Sequence, residues 1–192
     1  YGGLSSVAWT DLFTVVVMVL GGVLVTILGL DALAGEEGSL IDGFTNMIDR
    51  NRADEGRWAE AVALHTENLA GADTYNRLSV LQPASHPTHP WPSLIFGVFS
   101  ISIWYNVLNQ FMIQRVLGAK RAYHARMGIV FAGFMKVLMP AIVVIPGLIV
   151  FAMHPEILMI EPWADVKPAA DKAYVHLIQS LVPAGLRGLF LA

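Results

Sequence analysis

The chain has 192 residues, of which 55 % are apolar and only 14 % charged, with a net charge of −3 at neutral pH. A soluble domain carries roughly 25 % charged residues, so the balance points to a membrane protein, and so small a net charge without a basic stripe argues against nucleic acid as a partner. With no cysteine, disulfides and thiolate metal sites are excluded.

The opening YGGLSSVAWTD has no basic leader and no cleavage site, so no signal peptide is expected. The first apolar run, residues 4–30, carries Asp11 as its only charge. A run of that length reads as a transmembrane helix, which needs roughly 20 mostly apolar residues. Asp11 has two readings: an interfacial carboxylate favoured by the helix dipole in the first turns, or a group beside a cation path. Position alone leaves both open.

Residues 31–90 form a long connection with ten acids against four arginines (Arg50, Arg52, Arg57 and Arg77). So long a connection is unusual without structure of its own. RWAEAVALHTENLAG (Arg57–Gly71) predicts a short amphipathic helix with Trp58, Ala61, Val62 and Leu69 on one face. Leu78–Pro92 holds four prolines and reads as irregular. His86 and His89 have a spacing found among metal ligands, but no third ligand is near and no metal site is expected.

The second run, residues 91–114, is uncharged but unusually polar, with Ser100, Ser102, Tyr105, Asn106, Asn109 and Gln110 gathered in SISIWYNVLNQFMIQR. Ser102, Tyr105, Asn106 and Asn109 follow the i, i+3, i+4, i+7 pattern of one helix face. Such a stripe either bonds neighbouring helices or lines a solvated cavity. The connection 115–126 contains Arg115, Lys120, Arg121 and Arg126 and no acid, which assigns it to the cytoplasm. Residues 31–90 and 154–184 then lie outside.

The third run, residues 127–153, has Lys136 as its only charge. Counted from Arg126, the lysine lies about 15 Å into the layer at ~1.5 Å per residue. A lysine at that depth costs about 2.5–3.5 kcal/mol on insertion scales, so it is expected to meet a polar cavity or a partner. Gly97 and Pro92 in the second run, and Pro140, Pro146 and Gly147 in the third, are candidate helix breaks of the kind found around midplane transporter sites. Beyond the third run, Pro168–Leu181 predicts a surface helix with proline in its first turn. Residues 185–192 read as the first turns of another span, and both ends read as cut from a longer polypeptide. No phosphate-binding glycine motif and no serine–histidine–acid signature offers a basis for enzymatic chemistry.

These motifs carry a family resemblance. The chain is similar to the sodium/solute symporter family, and most to its sodium–glucose cotransporter branch. GGLSSVAWTDLF (Gly2–Phe13) resembles the GGL-x-AV-x-x-TD opening of the fifth core helix, with Ser6 where alanine is usual. PWPSLIFG (Pro90–Gly97) and WYNVLNQFMIQRVLGAK (Trp104–Lys120) resemble the sixth, GIVFAGFMK (Gly128–Lys136) the seventh, and LVPAGLRGLFLA (Leu181–Ala192) the beginning of the eighth.

The resemblance implies an all-α integral membrane fold, part of a LeuT-type inverted-repeat core, in a multi-pass protein of the plasma (inner) membrane. It implies solute uptake coupled to sodium by alternating access. Carried over by position, Lys136 and Ser102 match sugar-contacting positions, Tyr105 matches the tyrosine that closes the cytoplasmic side of the sugar pocket, and Asp11 matches an acid beside the sodium exit route. Asn106 stands where the sugar carriers have tryptophan. It therefore enters the expected pocket as a departure, with a polyol, inositol or another sugar as the implied solute. The sodium ligands of the family belong to the first and eighth core helices, outside these residues, and no other cofactor is expected. Two alternatives remain open at this point: a small carboxylate or amino acid with Lys136 as its counter-charge, and a membrane scaffold or sensor without transport.

Overall fold

The computed structural model describes residues 3–53, 55–64, 78–86 and 89–191. The architecture is all-α. The described residues contain no strand, only one isolated bridge between Gln82 and Pro90.

Helix α1, Gly3–Ala34, is a continuous apolar rod. It stops where Gly35 takes a φ of 82°, a conformation glycine adopts without strain. Helix α2, Leu40–Arg52, starts at a capping box. The Ser39 N–H donates to Asp42 Oδ2 at 2.7 Å, and the Asp42 N–H to Ser39 Oγ at 3.4 Å. Helix α3, Gly56–Ala63, is the described part of the expected amphipathic helix. Ala61 and Val62 are buried with Trp58 against them, while Leu69 lies outside the described residues.

The second apolar run is not one helix. Helix α4, Trp91–Ile103, passes into a π-turn at Trp104–Leu108, and helix α5, Gln110–Leu117, starts beyond Asn109. Helix α6, Ala122–Met153, follows after a four-residue turn at 118–121 and keeps both Pro140 and Pro146 inside it. The expected breaks are thus displaced. Pro92 is accommodated in the first turn of α4, where a missing N–H does no harm, and Gly97 stays helical. A 3₁₀ turn at Pro155–Met159 leads to α7, Trp163–Asp171, α8, Ala173–Leu181, and α9, Ala184–Leu191. The single surface helix expected over Pro168–Leu181 is therefore two helices, with Pro168 inside α7 and a break at Lys172.

Three helical stretches, Gly3–Ala34, Trp91–Leu108 and Ala122–Met153, are long and apolar enough to cross a membrane. α1 and α6 meet where a side chain is missing. A methyl group on Gly22 would overlap Ile142 Cγ2, and one on Gly29 would stand 2.8 Å from Ile149 Cγ2. Both pairs advance by seven residues in the same sense, so α1 and α6 run parallel, the relation three alternating crossings require. Around this contact Val25, Leu33, Met47, Ile149, Val150, Leu177, Ile178 and Val182 form the main core, drawing α2 and α8 onto the later halves of α1 and α6.

The same end closes its polar backbone. The last carbonyls of a helix lack internal donors, and side chains of α2 and α3 supply them. Asn46 Nδ2 donates to Leu33 O at 3.0 Å, Arg50 Nη1 to Ala152 O at 3.2 Å and Trp58 Nε1 to Ala152 O at 3.1 Å. The earlier halves of α1 and α6, and all of α4, are by contrast unburied, with Phe13, Phe96, Phe99, Phe131 and Phe134 bare. Such faces suit lipid or neighbouring helices.

Candidate functional site

The polar load of the second run acts first on its own backbone. Asn109 adopts an extended ψ of 112° and becomes the N-cap of α5, its Oδ1 accepting the Phe111 N–H at 3.0 Å. Asparagine competes with helix geometry in this way. The Asn109 N–H closes on Trp104 O at 3.0 Å, and its carbonyl receives the N–H groups of Met112 and Ile113 at 3.1 Å each. No helical turn crosses Asn109, so the carbonyls of Tyr105, Asn106, Val107 and Leu108 end without helical donors. Unsatisfied backbone at membrane depth is tolerated where protein or a polar cavity meets it.

Beside this break lies an open cleft of about 550 Å³ between the α4–α5 limb and the first half of α6. On the α6 side it is walled by Ala125, Gly128, Ile129, Ala132, Gly133 and Lys136, a stripe at i, i+3, i+4, i+7, i+8 and i+11. The small residues in this stripe make the room. Asn106 and Arg115 face them from the other limb.

Lys136 Nζ stands 5.4 Å from the centre of the Tyr105 ring, a cation–π distance. Among the described residues no carboxylate pairs with it. The expensive charge therefore has an aromatic neighbour and an open, mostly apolar cleft in which Asn106, Arg115 and His124 are the other polar residues. Asn106 lines the cleft and donates through Nδ2 to Ser102 O at 2.8 Å. Ser102 lies one turn back, joined to the site through that carbonyl, and is not among the cleft-lining residues. The structure thus places Lys136 and Asn106 in the cleft, sets Tyr105 beside Lys136 but, like Ser102, outside the cleft lining, and removes Asn109 from the expected stripe.

Asp11 sits apart from Lys136 and reaches the cleft through Arg115. Arg115 Nη2 and Nε lie 2.7 and 2.8 Å from Asp11 Oδ2, with side chains 26 % and 48 % exposed respectively. The guanidinium carbon also lies 3.4 Å from the Phe111 ring centre, and Nη1 donates to Phe111 O at 3.2 Å. The pair ties α1 to α5 at the open end of the molecule. Arg115 reads in sequence as one of four cations in a cytoplasmic connection. The signal that could have singled it out is that Asp11 and Arg115 are the charges nearest the same end of adjacent spans.

His86 and His89 are joined by a hydrogen bond, the His89 N–H donating to His86 Nδ1 at 3.0 Å. No group of three histidine, cysteine or acidic residues suited to a metal ion occurs among the described residues.

Comparison with known proteins extends over the entire chain. The model of the sodium:solute symporter family matches residues 1–192. A zebrafish (Danio rerio) sodium/glucose cotransporter 4 is 31 % identical over the whole chain, which covers 28 % of that protein. A Vibrio parahaemolyticus sodium/glucose cotransporter is also 31 % identical over the whole chain, covering 33 % of its length. The mouse (Mus musculus) sodium/myo-inositol cotransporter 2 is 29 % identical, again over the whole chain and 28 % of the relative. The chain thus spans a third or less of the curated relatives it matches. No solved structure gives a significant match.

Proposed function

The chain belongs to the sodium:solute symporter family, and from that premise we propose that it supplies one wall of the solute pocket in a sodium-coupled carrier for a sugar or polyol. The observation that carries the reading is Lys136, an intramembrane ammonium over the Tyr105 ring at the head of a cleft that also presents Asn106. An ammonium donates three hydrogen bonds and an amide both donates and accepts, a mixture suited to hydroxyl groups. Relatives named for glucose and for myo-inositol support the solute class.

In this proposal Lys136 and Asn106 hydrogen-bond the solute, Tyr105 closes the pocket beneath it, and Ser102 fixes the orientation of Asn106. Asn106, smaller than the tryptophan of the sugar carriers, widens the pocket and favours a polyol or inositol over glucose. Asp11, held by Arg115, borders the route by which sodium leaves. The coupling sodium ions themselves bind on the first and eighth core helices of a LeuT-type core, and transport proceeds by alternating access in the plasma (inner) membrane. A cation at Lys136 repels sodium, so the lysine belongs to the solute rather than to the ion.

One observation favours a second reading. The polar groups lining the cleft include Lys136, Arg115 and His124 and no acid, a set that also suits a small carboxylate. Sodium-dependent uptake by the intact protein in proteoliposomes, across glucose, myo-inositol, amino acids and small carboxylates, decides between them. Saturable, sodium-dependent uptake of a neutral polyol is the expected result. Uptake confined to acids would replace it with the second reading, and uptake of nothing in the panel would leave a scaffold or sensor.

A further inference from the structure

We infer that Lys136 meets the solute twice, through its ammonium as donor and through its own main-chain carbonyl as acceptor. Pro140 makes the second contact available and so acts as a specificity-determining residue. The inference rests on the reading that the cleft holds a hydroxylated solute.

The chemistry starts from α6. Proline has no N–H, so a proline inside a helix strips the carbonyl four residues earlier of its donor. α6 contains two such prolines. Pro146 releases the carbonyl of Ile142, and Pro140 that of Lys136. Their surroundings differ sharply. Pro146 and Ile142 are buried, and the Ile142 carbonyl comes within 3.5 Å of where a Cβ would stand on Gly22 of α1. That carbonyl faces α1 across the packed contact.

Pro140 is exposed. It lies four residues beyond Lys136 and seven beyond Gly133, on the same helix face and one turn past Lys136, the last residue of α6 that lines the cleft. Among the described residues no side chain donates to the Lys136 carbonyl. A freed carbonyl against hydrocarbon costs several kcal/mol, whereas at the head of the cleft it accepts from a solute hydroxyl. An ammonium donor and a carbonyl acceptor on one residue match neighbouring hydroxyls of a single polyol.

Fluorinated solutes test the inference in the intact protein. Fluorine replaces a hydroxyl at similar size but cannot donate a hydrogen bond. Uptake of glucose or myo-inositol, whichever the protein carries, is competed with analogues fluorinated at each position in turn. In the wild type the position whose hydroxyl donates to the carbonyl shows about a tenfold penalty of the kind left by one lost hydrogen bond, beside penalties at the positions bound by other groups. Pro140→Ala returns an N–H to the Lys136 carbonyl, so the parent solute weakens about tenfold and that one penalty disappears while those at other positions remain. Pro146→Ala, which acts on the covered carbonyl, keeps the wild-type profile. An unchanged profile in Pro140→Ala overturns the inference, and so does equal flattening by Pro146→Ala, which would trace the effect to helix straightening. Both results leave the proposed function standing. Uptake of neither solute by the wild type overturns that proposal, and this inference with it.

Discussion

The two halves of α1 and α6 share the same helices and differ in almost everything else. In the later halves, Gly22 and Gly29 admit Ile142 and Ile149, α2 and α8 cover the pair, and side chains from α2 and α3 cap the last carbonyls. In the earlier half of α6, small residues face a cleft lined also by Lys136 and Arg115, and from the earlier half of α1 Asp11 pairs with that Arg115. Glycine serves both halves in opposite ways. In one its missing side chain is filled by isoleucine, and in the other the space is kept for something that comes and goes. Close packing holds the first half together, since between membrane helices van der Waals contact at small residues, rather than removal from water, drives association. The second half keeps its polar groups accessible and contributes little to that core.

The sharpest way to break this division is to fill the packed half. Gly22→Leu drives a side chain into Ile142, and an overpacked core of this kind loses about 3 kcal/mol. We expect little folded protein to be recovered in detergent, and a wild-type melting temperature would show that the α1–α6 contact does not carry the fold.

The open half should respond in the opposite manner. Lys136→Ala removes charged hydrogen bonds worth about 1.5–3 kcal/mol, roughly a tenfold to hundredfold loss of uptake at limiting solute. Folded yield should stay near wild type, and unchanged uptake would take Lys136 out of the pocket. Asp11→Asn is smaller, because the pair with Arg115 is partly exposed and such pairs contribute about 0–1 kcal/mol. It should shift the sodium activation curve by about fivefold at most, and an identical curve would restore the purely interfacial role.

The smallest effect belongs to the cap. Hydrogen bonds from the Ser39 backbone N–H and side chain hold the Asp42 carboxyl below its ordinary value of 3.8. A lowered carboxylate pKa stabilises the fold above the unfolded value, and the contribution is lost as pH falls through the folded one. The small melting-temperature deficit of Asp42→Asn at neutral pH should therefore vanish in the acid range, with solute and sodium dependence untouched. A deficit independent of pH would assign the cap to the Ser39 side chain alone.

The packed half was the more legible of the two in sequence. Long runs broken only by Asp11 and Lys136 leave few alternatives to spanning helices, and α1 and α6 follow them. The break in the second run was misread because proline and glycine drew the reading to Pro92 and Gly97. Helix α4 accepts Pro92 in its first turn, whereas Asn109 ends the helix by capping the next one. Pro140 and Pro146 likewise lie inside α6 without interrupting it. Lys136, Tyr105 and Asn106 stood out early because polar groups are costly at membrane depth. The tie between Asp11 and Arg115 did not, since it joins residues far apart in sequence and arises only when α1 and α5 meet.

The central claim is that the open half holds the solute. It is tested most directly by reactivity at Ala132, which walls the cleft, in a version of the intact protein carrying Ala132→Cys as its only cysteine, since these 192 residues contain none. Maleimide labelling of that cysteine should be rapid, and sodium with the transported polyol should slow it severalfold. Cysteine at the fully buried Ala152 should remain unlabelled with or without solute. Equal labelling at position 132 in the presence and absence of a solute that the protein demonstrably carries would contradict the account.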